Sequence, residues 1–169
     1  MKIISWNSNG YFSERFPAIL EEDADIYVIQ ECENPLVIDS DKYTAFASNY
    51  FWIGENQYYG LGIFAKDNVK IELADLDDKG LRYFIPVTVN DDFNLLGVWT
   101  NPNMEGRKEI YYPKEITKYY EEHKDSGFFN EDMILLSKMA TLGLFQVGTQ
   151  RQMKLICKLW KENLWKRLA

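Results

Sequence analysis

The sequence predicts an α/β fold of mixed α+β type, on three observations. A strand, a helix and a second strand follow one another within about 30 residues at the start of the chain, the spacing of a crossover unit. Short apolar segments then alternate with turn residues, as in antiparallel hairpins. Aromatic residues make up 15% of the chain, and their rings pack well on pleated faces.

Lys2 to Trp6 reads as a buried strand, and Asn7-Ser8-Asn9-Gly10 after it is turn chemistry. Ser13 to Glu22 places Phe16, Ile19 and Leu20 at helical spacing. Asp25 to Glu31 is a second strand with a nearly continuous apolar centre. Further strands are expected at Tyr43 to Ala47, Gly60 to Lys66, Lys70 to Ala74, Leu81 to Val89 and Phe93 to Thr100. Turns at Lys66-Asp67-Asn68, Asp77-Asp78-Lys79-Gly80 and Asn90-Asp91-Asp92 separate them. Glu109 to His123 is expected to be a helix, Asp132 to Leu136 a short buried strand, and Met153 to Leu168 an amphipathic helix.

At 169 residues the chain suits one domain, and 46% hydrophobic with 27% charged residues is a globular balance. No apolar run approaches the roughly 20 residues a bilayer span needs, and Met1 leads straight into a strand, so a cytoplasmic protein is expected. Cys32 and Cys157 are too few for a disulfide framework and are read as free thiols. The net charge of -7 hides a break. Residues 1 to 136 hold 12 Lys and Arg against 25 Asp and Glu, whereas residues 137 to 169 hold 7 against 1. The acidic body repels phosphates at long range, so action on a phosphoester requires a metal ion or local basic groups.

Asn7 and Glu31 are the main site candidates. Each stands at the C-terminal end of an expected buried strand, the edge of an α/β sheet where ligand sites gather. A carboxylate there is a hard-oxygen ligand for Mg²⁺, and an adjacent carboxamide orients it or holds a phosphate oxygen. The competing reading makes Asn7 a turn cap and Glu31 a solvated strand-end charge.

Trp6-Asn7-Ser8-Asn9-Gly10 followed by Asp25-Ile26-Tyr27-Val28-Ile29-Gln30-Glu31 resembles the opening of the endonuclease/exonuclease/phosphatase superfamily, the deoxyribonuclease I-like fold. Tyr59 to Lys66 is similar to the family's Gly-x-x-Ile-x-x-(Ser/Ala)-Lys strand, and Asn94 to Thr100 to the strand that ends in its cleft. The resemblance runs over residues 1 to about 136 and implies a four-layer α/β sandwich. It implies hydrolysis of nucleic acid or another phosphoester with Mg²⁺ or Mn²⁺, Glu31 and Asn7 being the catalytic and metal-binding pair. Thr100 and Asn101 would line the cleft, or form an ordinary Asn-Pro turn with Pro102.

The pattern breaks at residue 137. Met133-Ile134-Leu135-Leu136 resembles the strand that should deliver Gly-Asp-x-Asn, yet Ser137-Lys138-Met139-Ala140 follows. No Asp occurs beyond Leu136, and the only histidine is His123, expected as a helix-end cation. The expected division is therefore a family-like part, 1 to 136, and a basic, helical tail, 137 to 169, which is either a frameshifted or spliced segment or a divergent capping element. The fold is expected to be incomplete at its C-terminus and poor in turnover, with an uncovered sheet face prone to self-association unless the tail shields it; the alternative is a non-catalytic truncated product or binding module on the same fold. Arg107, Lys108, Tyr111 and Tyr112, and Trp160 and Trp165 among the tail lysines, are read as exposed and packed helix faces rather than nucleic-acid or membrane contacts.

Overall fold

A computed structural model describes residues 1–77, 82–99, 118–119, 121–129, 133–137 and 145–147. Their elements, in order, are β1 (Ile3–Asn7), α1 (Phe12–Leu20), β2 (Ile26–Cys32), a 3-10 turn (Pro35–Val37), α2 (Asp41–Phe46), β3 (Tyr50–Asn56) and β4 (Tyr59–Ala65). Then come β5 (Ile71–Leu73), β6 (Phe84–Val89), β7 (Phe93–Val98), β8 (Ile134–Ser137) and β9 (Phe145–Val147).

The strands form two sheets, ordered β3-β4-β2-β1-β9 and β5-β6-β7-β8. β1 and β2 run parallel, Ile3 opposite Ile26 and Asn7 opposite Gln30, as the crossover spacing predicts. β4 runs antiparallel to both β2 and β3, and β6 antiparallel to β7 through a turn with Asn90 and Asp91 at positive φ. Two consecutive positive φ values suit the twist of a tight hairpin, and Asn and Asp tolerate them best.

Strand alternation assigns each side chain to a layer. Ile3, Ile26, Val28, Leu61 and Ile63 from the first sheet meet Ile85, Val87, Leu95 and Trp99 from the second in one buried core between the sheets. The opposite faces are covered too. Ile4, Tyr27, Ile29 and Phe64 pack under Phe12, Phe16 and Ile19 of α1 and Tyr43 of α2. Phe84, Leu96 and Val98 pack under Tyr119, Phe128, Phe129 and Met133, and residues 118, 119 and 121–123 are helical. The order is therefore helix, sheet, sheet, helix: the expected four-layer sandwich. Among the described residues both outer faces carry an apolar cover.

Two local expectations are corrected. Tyr43 to Ala47 is not a strand: Tyr43 to Phe46 lie in α2, because the Ser40 hydroxyl accepts the Tyr43 N–H at 3.3 Å and caps a helix that buries Tyr43. A cap outweighs the β-propensity of Tyr and Thr. The strand beside β4 is instead Tyr50–Asn56, which the sequence reading passed over. The strand expected at Asp132 to Leu136 is Ile134–Ser137, parallel to β7 with Ser137 opposite Val98. Within the basic tail, Phe145–Val147 pair antiparallel with Ile3 to Ser5 of β1. The helix expected at Met153 to Leu168, most of the one expected at Glu109 to His123, and Thr100 and Asn101 lie outside the described residues.

Candidate active site

The C-terminal ends of β1 and β2 bring the two expected residues together. Asn7 closes β1, and its Nδ2 donates to Glu31 Oε1 at 2.9 Å. The Asn7 Oδ1 accepts the Asn9 N–H at 3.0 Å. These two bonds fix the amide's orientation, since reversing it sets two acceptors against each other and two donors face to face. Asn7 therefore orients the carboxylate by donating to it.

Glu31 is not an ordinary strand residue. Between Gln30, paired with Leu61, and Cys32, paired with Gly60, it is one residue too many for β4, and its φ is 62°. This is a β-bulge, which turns a side chain out of the strand's alternation. A non-glycine residue in the left-handed region costs about 1–2 kcal/mol. The surrounding loop holds it there. The Ser8 hydroxyl, 1% exposed, reaches the carbonyls of Gln30 at 3.1 Å and Glu31 at 2.9 Å. The Gly10 N–H donates to the same Glu31 carbonyl at 3.1 Å, and the Ser8 N–H to the Gln30 carbonyl at 2.9 Å. Arg15 reaches back from α1 to the Ser8 carbonyl at 2.5 Å. Each such bond contributes about 1 kcal/mol net, so the set offsets the strain.

Trp52 backs the bulge from the other side. Its Nε1 donates to the Cys32 carbonyl at 3.2 Å, and its indole lies so close to Gly60 that a Cβ there would come within 2.4 Å of the ring. Only glycine fits between Cys32 and this indole. Glu33, 5% exposed, accepts the Ser13 N–H at 3.1 Å and the Ser13 hydroxyl at 3.3 Å. A carboxylate at the first turn of α1 favours the helix through its exposed N–H groups and ties the end of β2 to the start of α1. Between the two carboxylates, Cys32 is wholly buried. Burial, with the Glu33 charge second, pushes its thiol far above the usual range, so it is no nucleophile.

The donor set suits a hard divalent ion. Glu31 is half-buried with an oriented carboxylate, and no group of three or more His, Cys, Asp or Glu side chains gathers anywhere among the described residues. Mg²⁺ and Mn²⁺ are held by one or two carboxylates while keeping waters and substrate oxygens; structural zinc demands four protein ligands. His123 stands apart from the site. Its Nδ1–H donates to the Tyr119 carbonyl four residues earlier at 2.8 Å, and its ring stacks on Tyr119 with centroids 4.1 Å apart. It stands at the end of the helical residues 121–123.

Sequence reasoning missed Ser8, Glu33 and Trp52. Their partners are 20 or more residues away, beyond any local pattern.

No protein-family model matches the chain, and no curated protein matches it. Solved structures do. A 3'-5' exonuclease from Neisseria meningitidis is 22% identical with a TM-score of 0.52, over 81% of this chain and 57% of that one. A 3' phosphatase from Neisseria bound to product DNA hairpin is 26% identical with a TM-score of 0.51, over 81% of this chain and 56% of that one. An AP endonuclease from Archaeoglobus fulgidus is 16% identical with a TM-score of 0.52, over 82% and 57% respectively. This chain therefore spans little more than half the length of these neighbours. Its fold is the deoxyribonuclease I-like fold.

Proposed function

We propose that the Asn7–Glu31 edge is a divalent-metal phosphoester site of the nuclease and phosphatase kind, acting on nucleic acid. The observation that carries this reading is the strained bulge at Glu31. A left-handed carboxylate residue, backed by the Ser8 and Gly10 donors and oriented by the Asn7 amide, is strain concentrated where a side chain has to point outward. The similarity in fold to an exonuclease, a DNA-bound phosphatase and an AP endonuclease supports the reaction class.

In this reading the Glu31 carboxylate would hold Mg²⁺ or Mn²⁺, and Asn7 keeps the carboxylate from rotating. The bound ion would polarise the phosphoryl oxygens and stabilise the leaving oxygen. Trp52, Gly60 and the Ser8 loop keep the Glu31 backbone fixed while charge develops, which is the preorganisation such chemistry needs. The chain's own proton-transfer group is missing from the expected place: Ser137-Lys138-Met139-Ala140 stands where the family's Gly-Asp-x-Asn would begin. Positioned proton transfer contributes typically about 10²- to 10⁴-fold, so binding outlasts turnover in this chain. The division into a family-like part, 1 to 136, and a basic tail, 137 to 169, belongs to the same proposal. So does the cytoplasmic setting.

Calorimetric titration of Mn²⁺ into wild type and Glu31→Gln tests the site. A tenfold or greater loss of affinity in the variant is expected; equal affinity overturns the reading. A steady-state assay of the same proteins on a chromogenic phosphodiester is expected to show turnover far below that of complete nucleases. Turnover at their level that Glu31→Gln abolishes means that another residue has taken the base role.

A further inference from the structure

The described residues include eight exposed large hydrophobic side chains, among them Tyr11, next to Gly10, and Tyr59, the first residue of β4. Gly10 donates to the Glu31 carbonyl, and the Asn34 N–H donates to the Gln57 carbonyl at 2.9 Å. The Tyr59 ring lies against Gly10, where a Cβ would meet the phenol oxygen at 3.1 Å.

Folding does not explain the two tyrosines on either side of Gly10. Tyr11 is the N-cap of α1, with φ 54° and ψ 35°, and its side chain makes no cap hydrogen bond. Ser, Thr, Asp, Asn or Gly serves better as a cap, and a bulky residue is strained at positive φ. Its ring is nevertheless 62% exposed, so burial returns little for that strain. Tyr59 opens β4 one position before Gly60, the partner of Cys32, and is 43% exposed. The Tyr59 ring thus meets the loop that bonds to Glu31, and Tyr11 is the next residue along that loop.

We propose that Tyr11 and Tyr59 form an aromatic rim that receives an unstacked nucleobase next to the phosphate at the Glu31 metal site, which makes unpaired nucleic acid the preferred substrate. The proposal rests on the reading of Glu31 as the phosphoester site. An acidic body gains little from long-range attraction to a phosphate chain, so part of the affinity has to come from uncharged contacts. Every base has a π-face that stacks on an exposed ring, whereas a duplex keeps its bases inside and an aliphatic phosphoester offers no face at all.

The test uses fluorescence anisotropy at fixed salt with Mg²⁺ present, comparing a short labelled oligothymidine with an abasic strand of the same length. Wild type is expected to bind the base-bearing strand about tenfold more tightly, in the range that base-aromatic stacking supplies. The preference should shrink in Tyr11→Ala and Tyr59→Ala, disappear in the double variant, and persist in the corresponding Phe variants. Equal binding of both strands by wild type, or an unchanged preference in the double Ala variant, overturns the rim. Equal binding whose metal dependence vanishes in Glu31→Gln overturns the rim and leaves the metal site standing. A base preference whose metal dependence is untouched by Glu31→Gln overturns the site reading instead, and binding of neither strand overturns both.

Discussion

The two ends of β1 and β2 solve different problems with similar residues. At the N-terminal end the charges are tied off pairwise: Lys66 lies 2.6 Å from Asp23 and 3.7 Å from Asp25, Lys2 lies 3.0 Å from Glu22, and the amino terminus lies 4.0 Å from Asp25. At the C-terminal end the carboxylate of Glu31 is met by the Asn7 amide, and Asn9, Tyr11 and Glu31 all hold positive φ. One end satisfies charge with charge in solvent, where such pairs contribute little. The other accepts backbone strain and exposed rings to hold a carboxylate ready. In the proposed reading, the second end is the one that meets a ligand.

The largest predicted effect lies beneath the site edge. Burial pushes the Cys32 thiol and the Tyr43 hydroxyl up from ordinary values of 9.0 and 10.0. Both stay neutral in the fold and ionise in the unfolded chain. Their contribution to stability is therefore full below pH 9 and is lost as pH rises further, at about 1.4 kcal/mol per pH unit for each group past its unfolded pKa. Denaturant melts between pH 8 and 11 should show this fall, and Cys32→Val should flatten its onset. A stability that stays level to pH 11 contradicts the burial of these groups.

Ser8→Ala is a smaller change that breaks the site edge alone. It removes the hydroxyl from the Gln30 and Glu31 carbonyls while the Ser8 and Gly10 N–H groups remain, so a loss of about 1 kcal/mol is expected. Mn²⁺ affinity should fall severalfold with it, because the bulge loses part of its support. Unchanged affinity in a folded variant means that Ser8 does not position Glu31. Lys66→Ala breaks the opposite edge and should do least. No shift in melting temperature beyond error and no change in Mn²⁺ affinity are expected, and a clear effect on either means that the two ends are not independent.

Much of this architecture is legible in the residues themselves. The spacing of Lys2 to Trp6, Phe16 to Leu20 and Asp25 to Glu31 dictates a parallel crossover, and the strand ends mark Asn7 and Glu31. The apolar runs at Ile26 to Ile29 and Leu95 to Val98 belong to sheets covered on both sides, their alternate residues entering different cores, where a bare face was expected. Ser40 before Asp41 was a readable cap signal that the β-propensity of Tyr43 and Thr44 obscured. β3 escaped because its residues from Tyr50 to Gly54 are all half-buried, and an edge strand of that kind has no clean alternation. The bulge had no signal at all. It arises from register between β2 and β4, which only the assembled sheet sets, and the left-handed Glu31 follows from it.

The central claim is that Glu31 is strained for the sake of its carboxylate, and Glu31→Gly tests it most directly. Glycine adopts positive φ without the Cβ penalty and carries no ligand. Melting temperature and Mn²⁺ affinity should be measured on the same preparation beside wild type. If Glu31 is strained for its carboxylate, the variant is at least as stable as wild type and its Mn²⁺ affinity falls tenfold or more. A destabilised variant that still binds Mn²⁺ as wild type does would show that Glu31 serves the fold and not the metal.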